Sequence, residues 1–219
     1  MSSRVPLILL SHGSRHPRAL GELEALVEAV AAELDVPVEL AHLDFSADTL
    51  EAVSRRVAEA GHPQAVVIPL LFSSGYHARH DVPSEVAAID ALDLVLGPSI
   101  GVGPDVAEVV AHRARVPGVQ RVILFPVGSS RKQAQRDMEE LRQQVAQLLS
   151  VDVEVVPATG ASIPLPDAVQ EGDLVVPIFV SEGLLLDKAH RQVSVPIAAP
   201  LGRDLAGVVA SRYRAALSG

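Results

Sequence analysis

The chain repeats itself. Leu7-Ile8-Leu9-Leu10-Ser11-His12-Gly13-Ser14-Arg15 lines up with Val122-Ile123-Leu124-Phe125-Pro126-Val127-Gly128-Ser129-Ser130 at an offset of 115, His12 falling on Val127. The offset holds without a gap: Leu26 meets Leu141, Val30 meets Val145, Leu34 meets Leu149, and Val38-Glu39 meets Val153-Glu154. A second match, at offset 108, sets Val67 to Gly75 against Val175 to Gly183 and His77 against Leu185. A third, at offset 99, sets Asp105-Val106-Ala107 against Asp204-Leu205-Ala206. Any fold for this chain must therefore be one that can be built twice.

Each half has the pattern of a parallel α/β layer. Leu7 to Leu10 is a short apolar run bounded by Ser and Gly, as expected for a strand buried on both faces. Leu20, Leu23, Leu26, Val27, Val30 and Leu34 then recur at helical spacing, with Glu22, Glu24, Glu28 and Glu33 off that face. Val36 to His42 reads as a second strand. Ser46 to Glu51 carries a capping-type start to a helix ending at Gly61, and Ala65 to Phe72 reads as a third strand. A helix over 83–91, a strand over 92–96 and a helix from Pro104 to Arg115 complete the half, with Pro104 placed for a helix first turn. The expected architecture is two similar α/β domains, 1–116 and 117–219, each a parallel sheet flanked by helices and arising by duplication.

Ligands of such sheets bind beyond the carboxyl ends of the strands. Three turns leave that edge in the first half: Ser11 to Arg15, the turn holding Asp44, and Ser73 to Asp81. His12 and His77 each follow a strand, beside Gly13 and Gly75, where the missing side chain lets backbone approach a ligand. Imidazole is both the commonest metal ligand and a proton acceptor near neutral pH. Two histidines with a carboxylate, His12, His77 and Asp44, make an open metal site of the kind that suits a metal handed onward. In the second half the same positions hold Val127 and Leu185, so the chemistry is expected in the first half alone. Ser14, Arg15, Arg18 and Arg79 flank these turns and offer a local cationic rim for a small carboxylate-rich ligand. Arg131, Lys132 and Arg136 stand at the matching turn of the second half.

Composition narrows the partners. Lys+Arg is 18 and Asp+Glu 27, a formal charge of −9, which argues against nucleic acid. Cysteine is absent, so disulfides, thiolate metal sites and cysteine-held clusters are excluded. No run approaches the length of a membrane span, and the cytoplasm is the expected location.

The segments Leu9 to Arg15 and Pro69 to Pro83 resemble the two signature segments of the sirohydrochlorin chelatases, the cobalt and iron enzymes of cobalamin and siroheme synthesis. The resemblance covers the whole chain in the duplicated form. It implies a chelatase-like fold and insertion of Fe2+ or Co2+, with Ni2+ a further candidate, into sirohydrochlorin. It implies His12 and His77 as the catalytic pair and, with Asp44, as metal contacts. Ser14, Arg15, Gly75, Tyr76 and Arg79 are the expected substrate-binding residues. The metal is a substrate, no permanently bound cofactor is expected, and a monomer is expected. The position after the first strand, usually hydrophobic in that family, is Ser11 here. A histidine phosphatase would need arginine immediately before His12, where this chain has Ser11. A Rossmann reading fails because the first turn lacks G-x-G-x-x-G. A non-catalytic tetrapyrrole or metal carrier using the same rim residues is the alternative.

Overall fold

A computed structural model describes residues 5–72 and 82–218. Its elements alternate as β1 (Leu7–Ser11), α1 (Ala19–Leu34), β2 (Val38–His42), α2 (Leu50–Glu59), β3 (Gln64–Pro69), α3 (Val82–Ala87), β4 (Asp93–Leu96) and α4 (Pro104–Ala114). The second series is β5 (Arg121–Phe125), α5 (Lys132–Leu149), β6 (Asp152–Val155), α6 (Leu165–Ala168), β7 (Asp173–Pro177), α7 (Leu184–Gln192) and α8 (Ala206–Ser218).

The strands form two parallel sheets, ordered β2-β1-β3-β4 and β6-β5-β7. In each, the first strand of the series is central. That is why all five residues of β1 are buried, and why its sequence is continuously apolar up to Ser11. In the second sheet the counterpart of β4 shrinks to a single bridge, Val175 to Ile197. The strand order reverses between β1 and β3, and again between β5 and β7, so each sheet has a switch point with a crevice at its carboxyl edge.

The long helices follow from their apolar stripes. α1 buries Ala19, Leu23, Leu26 and Val30, and α5 buries Ala134, Leu141 and Val145, the counterparts of three of these at offset 115. Each fully buried leucine or valine contributes about 2 kcal/mol relative to exposure. Both helices end on a left-handed residue, Asp35 at φ 53° and Ser150 at φ 57°, again 115 apart. Leu20, expected on the buried face of α1, is instead 51% exposed. It lies in the helix's first turn, at the carboxyl edge of the sheet. α2 starts at Thr49, whose hydroxyl accepts from the Ala52 N–H.

The chain packs as two compact units, 1–101 with 203–219, and 102–202. This differs from a division at 116/117, which follows the repeat. α4 belongs to the first repeat, but its buried Val106, Ala107, Val110 and Ala111 pack in the second unit, against α5 and β7. α8 belongs to the second repeat but packs on α1, β3 and β4 of the first unit. Arg212 fixes it there by donating to the carbonyls of Ser99 and Ile100, and the Tyr213 hydroxyl donates to Val5 O at 2.6 Å. α4 and α8 are the helices matched at offset 99, so the exchange is reciprocal.

Candidate active site

The carboxyl edge of the first sheet is organised by two neighbouring strand ends. β1 and β2 pair in register, with Ser11 opposite His42. Beyond the strands the pairing continues through the turns: Leu43 N–H donates to Ser11 O at 2.9 Å and Asp44 N–H to His12 O at 3.0 Å. His12 and Asp44 are thereby held side by side, both exposed. The close approach requires Gly13, whose φ is +92° and whose missing Cβ would meet the Asp44 carbonyl oxygen.

Beneath this pair lies a polar contact that motif reading missed. Ser11 Oγ stands 2.7 Å from His42 Nδ1 and accepts the Gly13 N–H at 3.1 Å. Ser11 and His42 are 6% and 8% exposed. Burial lowers the His42 pKa below its usual range, and Asp48 only partly offsets this. A neutral imidazole accepting from the Ser11 hydroxyl satisfies the pair. Ser11 thus stands at the end of an otherwise apolar strand because the facing strand supplies its partner.

α1 begins after a tight turn in which Ser14 Oγ accepts the His16 N–H at 3.1 Å. The Arg15 guanidinium lies over the ring of Phe45, 4.6 Å from its centroid. A shallow hollow beside the turn is lined by Ser14, Leu20, Leu23, His42, Phe45 and Ser46. The structure thus brings His12, Ser14, Arg15 and Asp44 to one edge. His77, Gly75, Tyr76 and Arg79 lie outside the described residues. Among the described residues no three His, Cys, Asp or Glu side chains stand close enough to hold a metal ion.

The second sheet keeps this scaffold. Ala158 N–H donates to Pro126 O and Thr159 N–H to Val127 O, at 2.8 and 2.9 Å. Gly128, at φ +104°, has the Thr159 carbonyl where its Cβ would be. Ser129 Oγ accepts the Arg131 N–H at 3.2 Å, as Ser14 accepts that of His16. The side chains differ: His12 becomes Val127, Ser11 and His42 become Pro126 and Pro157, and Asp44 becomes Thr159.

Gly97-Pro98-Ser99-Ile100-Gly101 has the spacing of a nucleophile elbow, but that motif needs a sharp strand-to-helix turn. Here the stretch leaves β4 for a loop that reaches α4 only at Pro104, and its carbonyls serve Arg212.

The family model CbiX matches residues 6–116, just over half of the chain. A sirohydrochlorin ferrochelatase of Bacillus subtilis is 28% identical over 205 residues, covering 85% of this chain and 78% of the relative. A sirohydrochlorin cobaltochelatase of Methanocaldococcus jannaschii is 31% identical over 85 residues, covering 38% of this chain and 59% of the relative. Among solved structures, the cobalt complex of the sirohydrochlorin chelatase SirB from Bacillus subtilis subspecies spizizenii matches with a TM-score of 0.82 and 24% identity, over 98% of this chain and 96% of that one. The structure of CbiX, described as the terminal enzyme of siroheme biosynthesis in denitrifying bacteria, matches with a TM-score of 0.71 and 19% identity, over 97% and 99%. The two-sheet fold is that of these chelatases, and the chain belongs to the CbiX family of sirohydrochlorin chelatases.

Proposed function

We propose that this protein inserts Fe2+ or Co2+ into sirohydrochlorin, with the chemistry carried by the first-sheet edge. The observation that supports this best is the pinned pair of His12 and Asp44, present on one of two otherwise matching scaffolds. Insertion exchanges two ring N–H protons for one divalent ion. It therefore needs a weakly held metal, a proton acceptor, and cations for the carboxylates at the rim of the macrocycle. In this reading His12, His77 and Asp44 pass the metal and the two imidazoles take up protons. Ser14, Arg15, Gly75, Tyr76 and Arg79 hold the substrate. Holding metal and ring nitrogens together removes the entropic cost of their encounter.

The duplicated halves, 1–116 and 117–219, divide the work, the first carrying chemistry and the second the retained scaffold. The reading takes the chain as a cytoplasmic monomer acting on sirohydrochlorin and metal alone. Among the described residues no helix is long and apolar enough to cross a membrane.

The test is a side-by-side insertion assay with Fe2+, Co2+ and Ni2+, followed by macrocycle absorbance. Multiple turnover, abolished by His77→Ala and crippled by His12→Ala in folded protein, is expected. Stoichiometric binding without turnover would mark a carrier instead.

A further inference from the structure

Three described residues other than glycine have positive φ: Asp35, Phe45 and Ser150. Asp35 and Ser150 are the equivalent caps of α1 and α5. Phe45, at φ 63°, stands alone, and a bulky side chain in the left-handed region is costly. Its counterpart at offset 115 is Gly160, at φ +70°. The turn after the second strand therefore takes the same left-handed backbone in both halves. The second half fills it with the residue that does so without strain, and the first half holds a phenylalanine there.

Packing does not account for that choice. Phe45 is 55% exposed, in a chain with only four Phe, two Tyr and no Trp. It directly follows Asp44, borders the hollow with Leu20 and Ser14, and carries the Arg15 guanidinium on its ring. An exposed aromatic ring with a guanidinium held over it matches a ligand that is planar and apolar on its faces and anionic at its rim. Such a ligand gains from ring contact and from a charge-assisted bond to the guanidinium. Strain retained at an exposed side chain beside a reactive edge is the pattern of a ligand-contacting residue.

We infer that Phe45 is a macrocycle-binding residue. Its ring, oriented by Arg15, seats the polycarboxylated tetrapyrrole next to His12 and Asp44. The inference rests on the function proposed above and names a contact within it.

The test is F45G, F45L and F45W, each measured for sirohydrochlorin affinity by absorbance titration, for insertion kinetics and for thermal unfolding. F45G removes the ring and the strain together. Its Kd and KM for sirohydrochlorin should rise roughly tenfold, the loss of an aromatic contact. The KM for metal should hold, and Tm should stay level or rise by about 2–4 °C. F45L keeps an apolar side chain and the strained backbone but loses the ring, so its affinity should fall with Tm unchanged. F45W should restore affinity, and as the chain's sole Trp its emission should be quenched by sirohydrochlorin. Unchanged affinity in F45G and F45L, with wild-type insertion intact, would overturn the inference and leave the function standing. A lowered Tm in F45G with unchanged affinity would make the ring structural. A wild-type protein that neither binds nor metallates sirohydrochlorin would remove the function and this contact together.

Discussion

Gly13→Ala and Gly128→Ala form a matched pair that separates scaffold from chemistry. Both glycines sit at strongly positive φ, +92° and +104°. At Gly13 an added Cβ would strike the Asp44 carbonyl oxygen and come within 2.9 Å of its carbon. At Gly128 it would strike the Thr159 carbonyl oxygen and come within 3.1 Å of Pro157 Cβ. Backbone cannot rotate aside as a side chain does, so the second turn must move. The left-handed conformation costs roughly 1–2 kcal/mol and the overlap about 1–3 kcal/mol. Each variant should therefore lose about 3 kcal/mol, or about 6–12 °C in Tm for a chain of this size. The functional effects should diverge. Gly13→Ala separates His12 from Asp44, and a misplacement of order 1 Å can cost about a hundredfold in rate. Gly128→Ala disturbs only Val127 and Thr159, so its rate at permissive temperature should stay near wild type. Unfolding curves and insertion rates on the same samples decide the matter. Equal loss of activity in both variants would refute the assignment of chemistry to the first edge. An undiminished Tm in Gly13→Ala would refute the steric argument.

Arg121, 16% exposed, binds Asp173, which is 1% exposed, through two nitrogens, and also reaches Glu154 and the Ala168 carbonyl. Arg121→Met should destabilise the second unit by about 3 kcal/mol, because it leaves a buried carboxylate unpaired; urea titration with a second-unit probe checks it. Burial raises the Asp173 pKa, but hydrogen bonds from Arg121 and the Gln170 N–H outweigh it, and the net shift is downward. Its stabilising contribution should be full above the unfolded value near ~3.9 and be lost as pH falls through the lower folded value. Acid unfolding of Arg121→Met should lack that component. Val127→His with Leu185→His should bind metal weakly at most, by calorimetry, and create no second insertion site. Two equivalent metal sites in the wild type would contradict the asymmetry of the halves.

Much of this fold was legible because its periods are plain. β1 is a continuous apolar run, and α1 repeats its apolar residues at helical spacing. Leu20 misled because its spacing fits the stripe, while its place in the first turn puts it at the sheet's edge. The exchange of α4 and α8 was not legible, since an apolar stripe demands burial without naming the partner. The Ser11–His42 pair was missed because strand register, which sets it, is a tertiary property. The polar residue closing an apolar strand was the available signal. The left-handed conformation of Phe45 was not legible because φ is invisible in a phenylalanine, although extending the 115-residue offset to Gly160 points to it. The juxtaposition of Asp44 and His12 was legible because sheet topology alone brings the turns after adjacent strands together.

The two edges differ in side chains but hardly in backbone, which tells what duplication preserved. Gly13 and Gly128 pass the same carbonyl, Ser14 and Ser129 close the same turn, and the inter-turn hydrogen bonds agree within 0.1 Å, at 2.9 and 3.0 Å in the first half against 2.8 and 2.9 Å in the second. These features hold the strand-to-helix connection itself, so losing one costs stability in either unit. The side chains of His12, His42, Asp44 and Phe45 are not repeated: their counterparts are Val127, Pro157, Thr159 and Gly160, and the second turn closes with the matching backbone bonds. A left-handed phenylalanine is a cost to folding, roughly 1–2 kcal/mol. On the function proposed above, contact with the ligand is what offsets that cost in the first half. A variant that imports the second-half side chains at the two pinned positions, His12→Val with Asp44→Thr, should keep the fold and lose insertion. Retained turnover in that double variant would show that the chemistry lies elsewhere.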